Sequence, residues 1–105
     1  MWYNYVVMKK ANQLSQIALP VSILKEGKYF IAYSPVLDLS TSSKTFEEVK
    51  KRFDEAVEIF FEELIDKGTL DKVLAELGWE KIKGKWAPPI VISHETEHFR
   101  LAFSA

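Results

Sequence analysis

One uninterrupted block, Lys28 to Gly68, constrains the fold more than any other part of this chain. An apolar run, Tyr29-Phe30-Ile31-Ala32-Tyr33, is broken by Ser34-Pro35 and followed by Val36-Leu37-Asp38-Leu39. A hydroxyl-rich turn, Ser40 to Ser43, then leads into a helix that starts at Thr45. The Thr45 hydroxyl can accept from the Glu48 amide while the Glu48 carboxylate returns to the Thr45 amide, a capping box. Glu47 and Glu48 also suit the positive end of the helix dipole. At helical spacing Phe46, Val49, Phe53, Ala56, Val57, Phe60 and Leu64 fall on one stripe that asks for a core. Glu47–Lys51 and Glu48–Arg52 are favourable pairs on the outer face. Gly68 ends the helix because glycine takes the left-handed cap geometry without steric cost.

The rest of the chain reads as short strands and one more helix. Residues 2–8 suit a short strand or an ordered arm, and Ala11 to Gln16 a connector. Ile17 to Leu24 alternates as a strand, with Leu19, Val21 and Ile23 on one side; Pro20 removes a donor, so the strand is at an edge or starts near there. Lys25-Glu26-Gly27-Lys28 is a hairpin signal. In the next strand, 29–34, Tyr29, Ile31 and Tyr33 share one face and Phe30 and Ala32 the other. Both faces are apolar, so both are expected to be covered, by the helix, by a partner, or by one of each. Leu37 to Thr41 is a third strand. Thr69 caps a shorter helix over Leu70, Val73, Leu74 and Leu77, Gly78 closes it, and Trp79 packs back on the core. Trp86-Ala87-Pro88-Pro89 is a stiff link. Ile90–Ser93 and Phe99–Phe103 alternate as a short strand and a closing strand. The predicted class is α+β: a three-to-four-stranded antiparallel sheet on one long helix, in the order β-β-β-α-α-β.

Composition narrows the function. A chain of 105 residues makes one domain, here 1–105, with a modest core. It has no cysteine, which excludes disulfide scaffolds and thiolate metal sites. Met1-Trp2-Tyr3-Asn4 does not read as a signal peptide, and no apolar run has the length of a membrane span, so a cytoplasmic protein is expected. The net charge is −1, with basic clusters at Lys9-Lys10 and at Lys50-Lys51-Arg52, the latter among acids. Phosphate binding wants a basic surplus on one face, so a basic partner fits this chain better than a nucleic acid does.

His94-Glu95-Thr96-Glu97-His98 matches H-E-x-x-H. In zinc hydrolases that spacing sets two imidazoles one helical turn apart, with the glutamate as general base. Here strand patterns flank it, and no usual zinc ligand follows His98. His94 and His98 are therefore at most weak metal candidates, and the segment is read as a polar turn. Ser40 to Ser43 have no nearby histidine to act as base. Asp38 is a lone acid where a two-metal site needs several. The isolated glycines form no phosphate loop. No catalytic residue and no cofactor are expected.

Residues 17–80 resemble the HicB-type antitoxins of bacterial and archaeal type II toxin–antitoxin modules. The resemblance is carried by Ile17-Ala18-Leu19-Pro20-Val21 with Lys25-Glu26-Gly27-Lys28-Tyr29, then Ala32-Tyr33-Ser34-Pro35-Val36-Leu37-Asp38-Leu39. Ser43-Lys44-Thr45-Phe46-Glu47-Glu48-Val49, the helix from Lys50 to Leu64 and Gly68-Thr69-Leu70 complete it. It implies a core over 17–80 like a truncated ribonuclease H fold without nuclease carboxylates, with a C-terminal strand extension over 86–105. It also implies a role as antitoxin, neutralising a small basic HicA-like toxin that cleaves messenger RNA, and a homodimer or higher homo-oligomer. Two features depart from the family pattern. Ser43 stands where glycine is common. The tail after Gly84 is short and not basic where many members carry a DNA-binding domain, which puts DNA binding in doubt. Two surfaces are candidates for partner contact: the Tyr29, Ile31, Tyr33 strand face, and Ile59 with Glu55 and Glu63 on the outer face of the helix. The alternatives are an orphan dimeric module without toxin and a zinc-dependent hydrolase built on His94, Glu95 and His98.

Overall fold

The computed structural model describes residues 4–8 and 13–103. The Lys9-Lys10 cluster, Ala11, Asn12, the first three residues and the last two of the 86–105 extension lie outside them. The elements run β1 (Asn4–Met8), β2 (Gln13–Ile17), β3 (Ser22–Glu26), β4 (Tyr29–Ser34), β5 (Leu39–Ser43), α1 (Phe46–Lys67), α2 (Leu70–Glu76), β6 (Glu80–Ile82) and β7 (Lys85–Ala87). The fold is α+β. A three-stranded antiparallel sheet, β3-β4-β5, packs on the long helix, and a short helix and a β-hairpin follow. β1 and β2 pair as a separate antiparallel hairpin, with β1 against α1.

Several local expectations need correction. Ile17 to Leu24 is not one strand. β2 ends at Ile17 and β3 begins at Ser22, and Pro20 lies in the irregular stretch between them. The Ala11–Gln16 connector is largely β2. The third strand starts at Leu39, two residues later than expected, because Asp38 takes φ 50° in the turn; Asp is among the few residues that tolerate that region. Ser40–Ser43 is accordingly strand and not turn. Ile90–Ser93 and Phe99–Phe103 form no strand; residues 88–103 have no regular secondary structure. The β element after α2 is the β6–β7 hairpin, which pairs with itself and not with the main sheet. Its loop is Lys83-Gly84, both at positive φ, the combination that suits the right-handed twist of a two-residue hairpin.

The helix follows its sequence signals. The Thr45 side chain accepts from the Glu48 amide at 3.0 Å. The carboxylate of Glu48 does not close a capping box: it accepts from the Ser43 hydroxyl, tying the end of β5 to the first turn of α1. At the other end Gly68 sits at φ 69°, its amide donating to the Ile65 carbonyl and that of Thr69 to the Leu64 carbonyl, a Schellman closure. Gly78 and Trp79 repeat the arrangement after α2, donating to Ala75 and Leu74. Thr69 makes no side-chain cap to α2, contrary to expectation.

The core joins Ala32, Val36, Leu37, Val49, Phe53, Val57, Phe61, Leu74 and Trp79. Val49, Phe53 and Val57 are on the predicted stripe. Phe61 and Ile65 are buried as well, because Trp79 and α2 cover a second side of the helix's later turns; the Phe61 and Trp79 rings meet edge-on at 6.1 Å. Phe46 stays 44% exposed, resting edge-on against Phe30. On the helix side of the sheet, Ala32 lies opposite Thr41 and Phe30 opposite Ser43, and the small Ala32, Thr41 and Ser43 let α1 approach β4 and β5 closely. The hydroxyls of Ser34 and Thr41 are buried there and find no hydrogen-bond partner among the described residues.

Candidate partner-binding face

Strand alternation fixes what the sheet shows to the outside. Phe30, Ala32 and Ser34 turn toward α1, so Tyr29, Ile31 and Tyr33 turn away from it. The two-residue loop Gly27-Lys28 sets the register of β3 on β4, with Gly27 at φ 60° in its first position. That register puts Leu24 opposite Ile31, Glu26 opposite Tyr29 and Ser22 opposite Tyr33. On the other flank Ser42 lies opposite Ile31 and Ser40 opposite Tyr33. The outer face is thus an apolar and aromatic centre of Leu24, Tyr29, Ile31 and Tyr33, bordered by hydroxyls and Glu26. Leu24 is 52% exposed and Tyr29 48%. Among the described residues no helix packs on this face; α1 covers only the opposite one. One face is therefore covered by the helix and the other is open.

The strand–turn geometry also orients a polar handle. The Tyr33 hydroxyl donates to the Asp38 carboxylate at 3.2 Å. That hydrogen bond, with smaller contributions from burial and from the charge of Asp38, raises the phenol's pKa above its ordinary value.

Leu24 was missed on the outer face because the sequence pattern read Leu19, Val21 and Ile23 as the apolar side of its strand. The signal that finds it is the Gly27-Lys28 loop length, which alone sets the pairing with Ile31.

The second predicted surface lies on the far side of α1. Ile59 is 57% exposed, flanked one turn away on each side by exposed Glu55 and Glu63. Glu63 pairs with Lys67 at 3.9 Å. Sheet and helix separate the two surfaces, so the structure does not bring Ile59, Glu55 and Glu63 together with Tyr29, Ile31 and Tyr33. Beside Glu55, burial raises the carboxyl pKa of Asp54, Lys50 opposes the shift and Glu55 adds to it.

His94 and His98 lie exposed in an extended segment, not on a helix, so the shared helical face that H-E-x-x-H requires is not formed. Glu95 accepts from Ser93 at 2.5 Å. Among the described residues no group of three or more His, Asp or Glu side chains is placed to hold a metal ion. None of the described helices is long and apolar enough to cross a membrane.

The chain matches no family model, and no curated protein or solved structure is significantly similar to it.

Proposed function

We propose that this chain is a protein-binding antitoxin resembling HicB, which neutralises a small, basic, HicA-like, mRNA-cleaving toxin by direct complex formation. The observation that carries the reading is the open outer face of the sheet. A monomer leaves few aromatic and aliphatic side chains grouped on a flat strand surface, and such groups mark protein contacts. Tyr is suited to this role, with a large contact area and few rotamers to fix. The net charge of −1 is compatible with a basic partner. The strand-strand-strand-helix order over 22–67 is compatible with the fold that the resemblance implies. No catalytic group enters the reading, and the chain acts in it by occupying the toxin.

A second reading, an orphan homo-oligomeric module without toxin, is favoured by the exposed apolar residues of the C-terminal segment. Affinity capture of the tagged chain from its own host, with mass spectrometry of what co-purifies, separates the two. The antitoxin reading expects a stoichiometric small basic protein whose RNA cleavage is silenced in the complex. Recovery of the chain alone contradicts it and leaves the homo-oligomer.

A further inference from the structure

From Pro88 onward the chain leaves the body of the protein as an extended arm. Its root is anchored. Trp86, Ala87, Pro88 and Pro89 are half-buried, and the Pro89 ring sits so close to Gly78 that a Cβ there would meet it at 3.5 Å. The Trp86 indole donates to Asp71 at 3.2 Å. Two consecutive prolines then stiffen the departure. Beyond them Ile90, Ile92, Phe99, Leu101 and Phe103 are each between 68% and 90% exposed. The radius of gyration is 16.4 Å, against about 13 Å for a compact chain of this size, and the long axis reaches 56 Å. Monomeric proteins rarely leave so much large apolar surface open.

The same molecule carries an edge to match. In the main sheet β5 is an outer strand, and Leu39-Ser40-Thr41-Ser42-Ser43 contains neither a charge nor a proline to discourage pairing. The other outer strand, β3, carries Lys25 and Glu26. We propose that two copies exchange arms reciprocally, the Phe99–Phe103 segment of each adding as a fourth strand to the β5 edge of the other. The arm alternates as a strand but has no strand neighbour among the described residues, and β5 pairs there on one side only. Phe99, Leu101 and Phe103 alternate along the arm, so the added strand sets all three on one face of the partner's sheet.

The inference rests on the homo-oligomer reading and specifies its contact. The test is sedimentation of the full chain over a range of concentrations, beside a Phe99→Asp, Leu101→Asp, Phe103→Asp variant. These side chains are exposed, so the variant keeps its circular dichroism. The expected result is a dimer of twice 12.1 kDa for the parent chain and a dissociation constant at least about a hundredfold higher for the variant. A photo-crosslinking residue in place of Leu101, in a mixture of light and heavy isotope-labelled chains, is expected to join light to heavy at residues 39–43. A dimer that the substitutions leave intact, or crosslinks elsewhere or within one chain, overturns arm exchange while the homo-oligomer reading stands. A monomer at all concentrations overturns both.

Discussion

The indole of Trp79 donates to the backbone carbonyl of Val36 at 2.8 Å, bridging 43 positions of sequence. The bond fastens the loop after β4 to the end of α2, and both partners are buried. Trp79→Phe keeps most of the ring but leaves the Val36 carbonyl unpaired, an expected loss of about 1–3 kcal/mol. Trp79→Ala also opens a cavity beside Phe61, with an expected loss of about 3–5 kcal/mol. Urea unfolding followed by far-ultraviolet circular dichroism measures both. Equal stability of Trp79→Phe and the parent would contradict the bridging role.

The hydroxyls of Ser34 and Thr41 are buried on the helix side of the sheet and find no partner among the described residues. A buried polar atom left unpaired is destabilising, and removing it relieves that cost. Ser34→Ala and Thr41→Val are expected to leave stability unchanged or raise it by about 1 kcal/mol each. A loss of stability on Ser34→Ala would show that its hydroxyl is paired in solution.

At the two ends of α1 the effects are opposite in kind. Thr45→Ala removes the side-chain acceptor for the Glu48 amide and is expected to cost about 1 kcal/mol. Gly68→Ala meets no neighbour within 4 Å, so its cost comes from the backbone at φ 69°, about 1–2 kcal/mol. Gly68→Asn, which tolerates that region, is expected to cost less than Gly68→Ala. Chemical denaturation ranks the three, and an Asn variant no better than Ala would show that the left-handed geometry is not what matters there.

Tyr33 gives the fold a pH signature at the alkaline end. Its pKa is raised in the folded state, first by the hydrogen bond to Asp38. A raised pKa favours the neutral phenol in the fold, so the contribution is fully present below the unfolded value of about 10 and is lost as pH rises through the folded one. In an absorbance titration Tyr33 should ionise at higher pH than an unperturbed tyrosine. Asp38→Asn keeps the tolerated backbone conformation and should move that step down. A titration that Tyr33→Phe leaves unchanged at its alkaline end would contradict the assignment.

The helix and its boundaries were legible in the sequence because their causes are local. Thr45, Glu48 and Gly68 act within a turn of their own positions, and the Val49, Phe53, Val57 stripe follows from spacing alone. Phe61 and Ile65 were not legible as core, because their burial depends on α2 and Trp79 folding back, which is a tertiary event. The alternation of Phe99, Leu101 and Phe103 predicts a closing strand that the structure does not form. A strand needs a neighbour, and none is supplied among the described residues of this chain. Pro20 signals an edge strand or a strand start, and β3 is an edge strand that begins at Ser22; the irregular stretch around Pro20, which separates β3 from β2, was not legible from the alternation alone. On the candidate site, Tyr29, Ile31 and Tyr33 share one face as their spacing requires. That Leu24 joins them depended on hairpin register. The distance between this face and Ile59 required knowing which side of the sheet the helix covers.

The most direct test of the account compares two variants in capture from the host. One replaces Tyr29, Ile31 and Tyr33 on the outer face of the sheet by Tyr29→Ser, Ile31→Thr and Tyr33→Ser, all compatible with a strand. The other carries Ile59→Glu on the helix. With circular dichroism confirming both folds, the account predicts that the small basic partner and the silencing of its RNA cleavage are lost with the first variant and kept with the second. Retention of the partner by the sheet variant, or its loss from the helix variant alone, would contradict the claim that the open face of the sheet is where this protein binds.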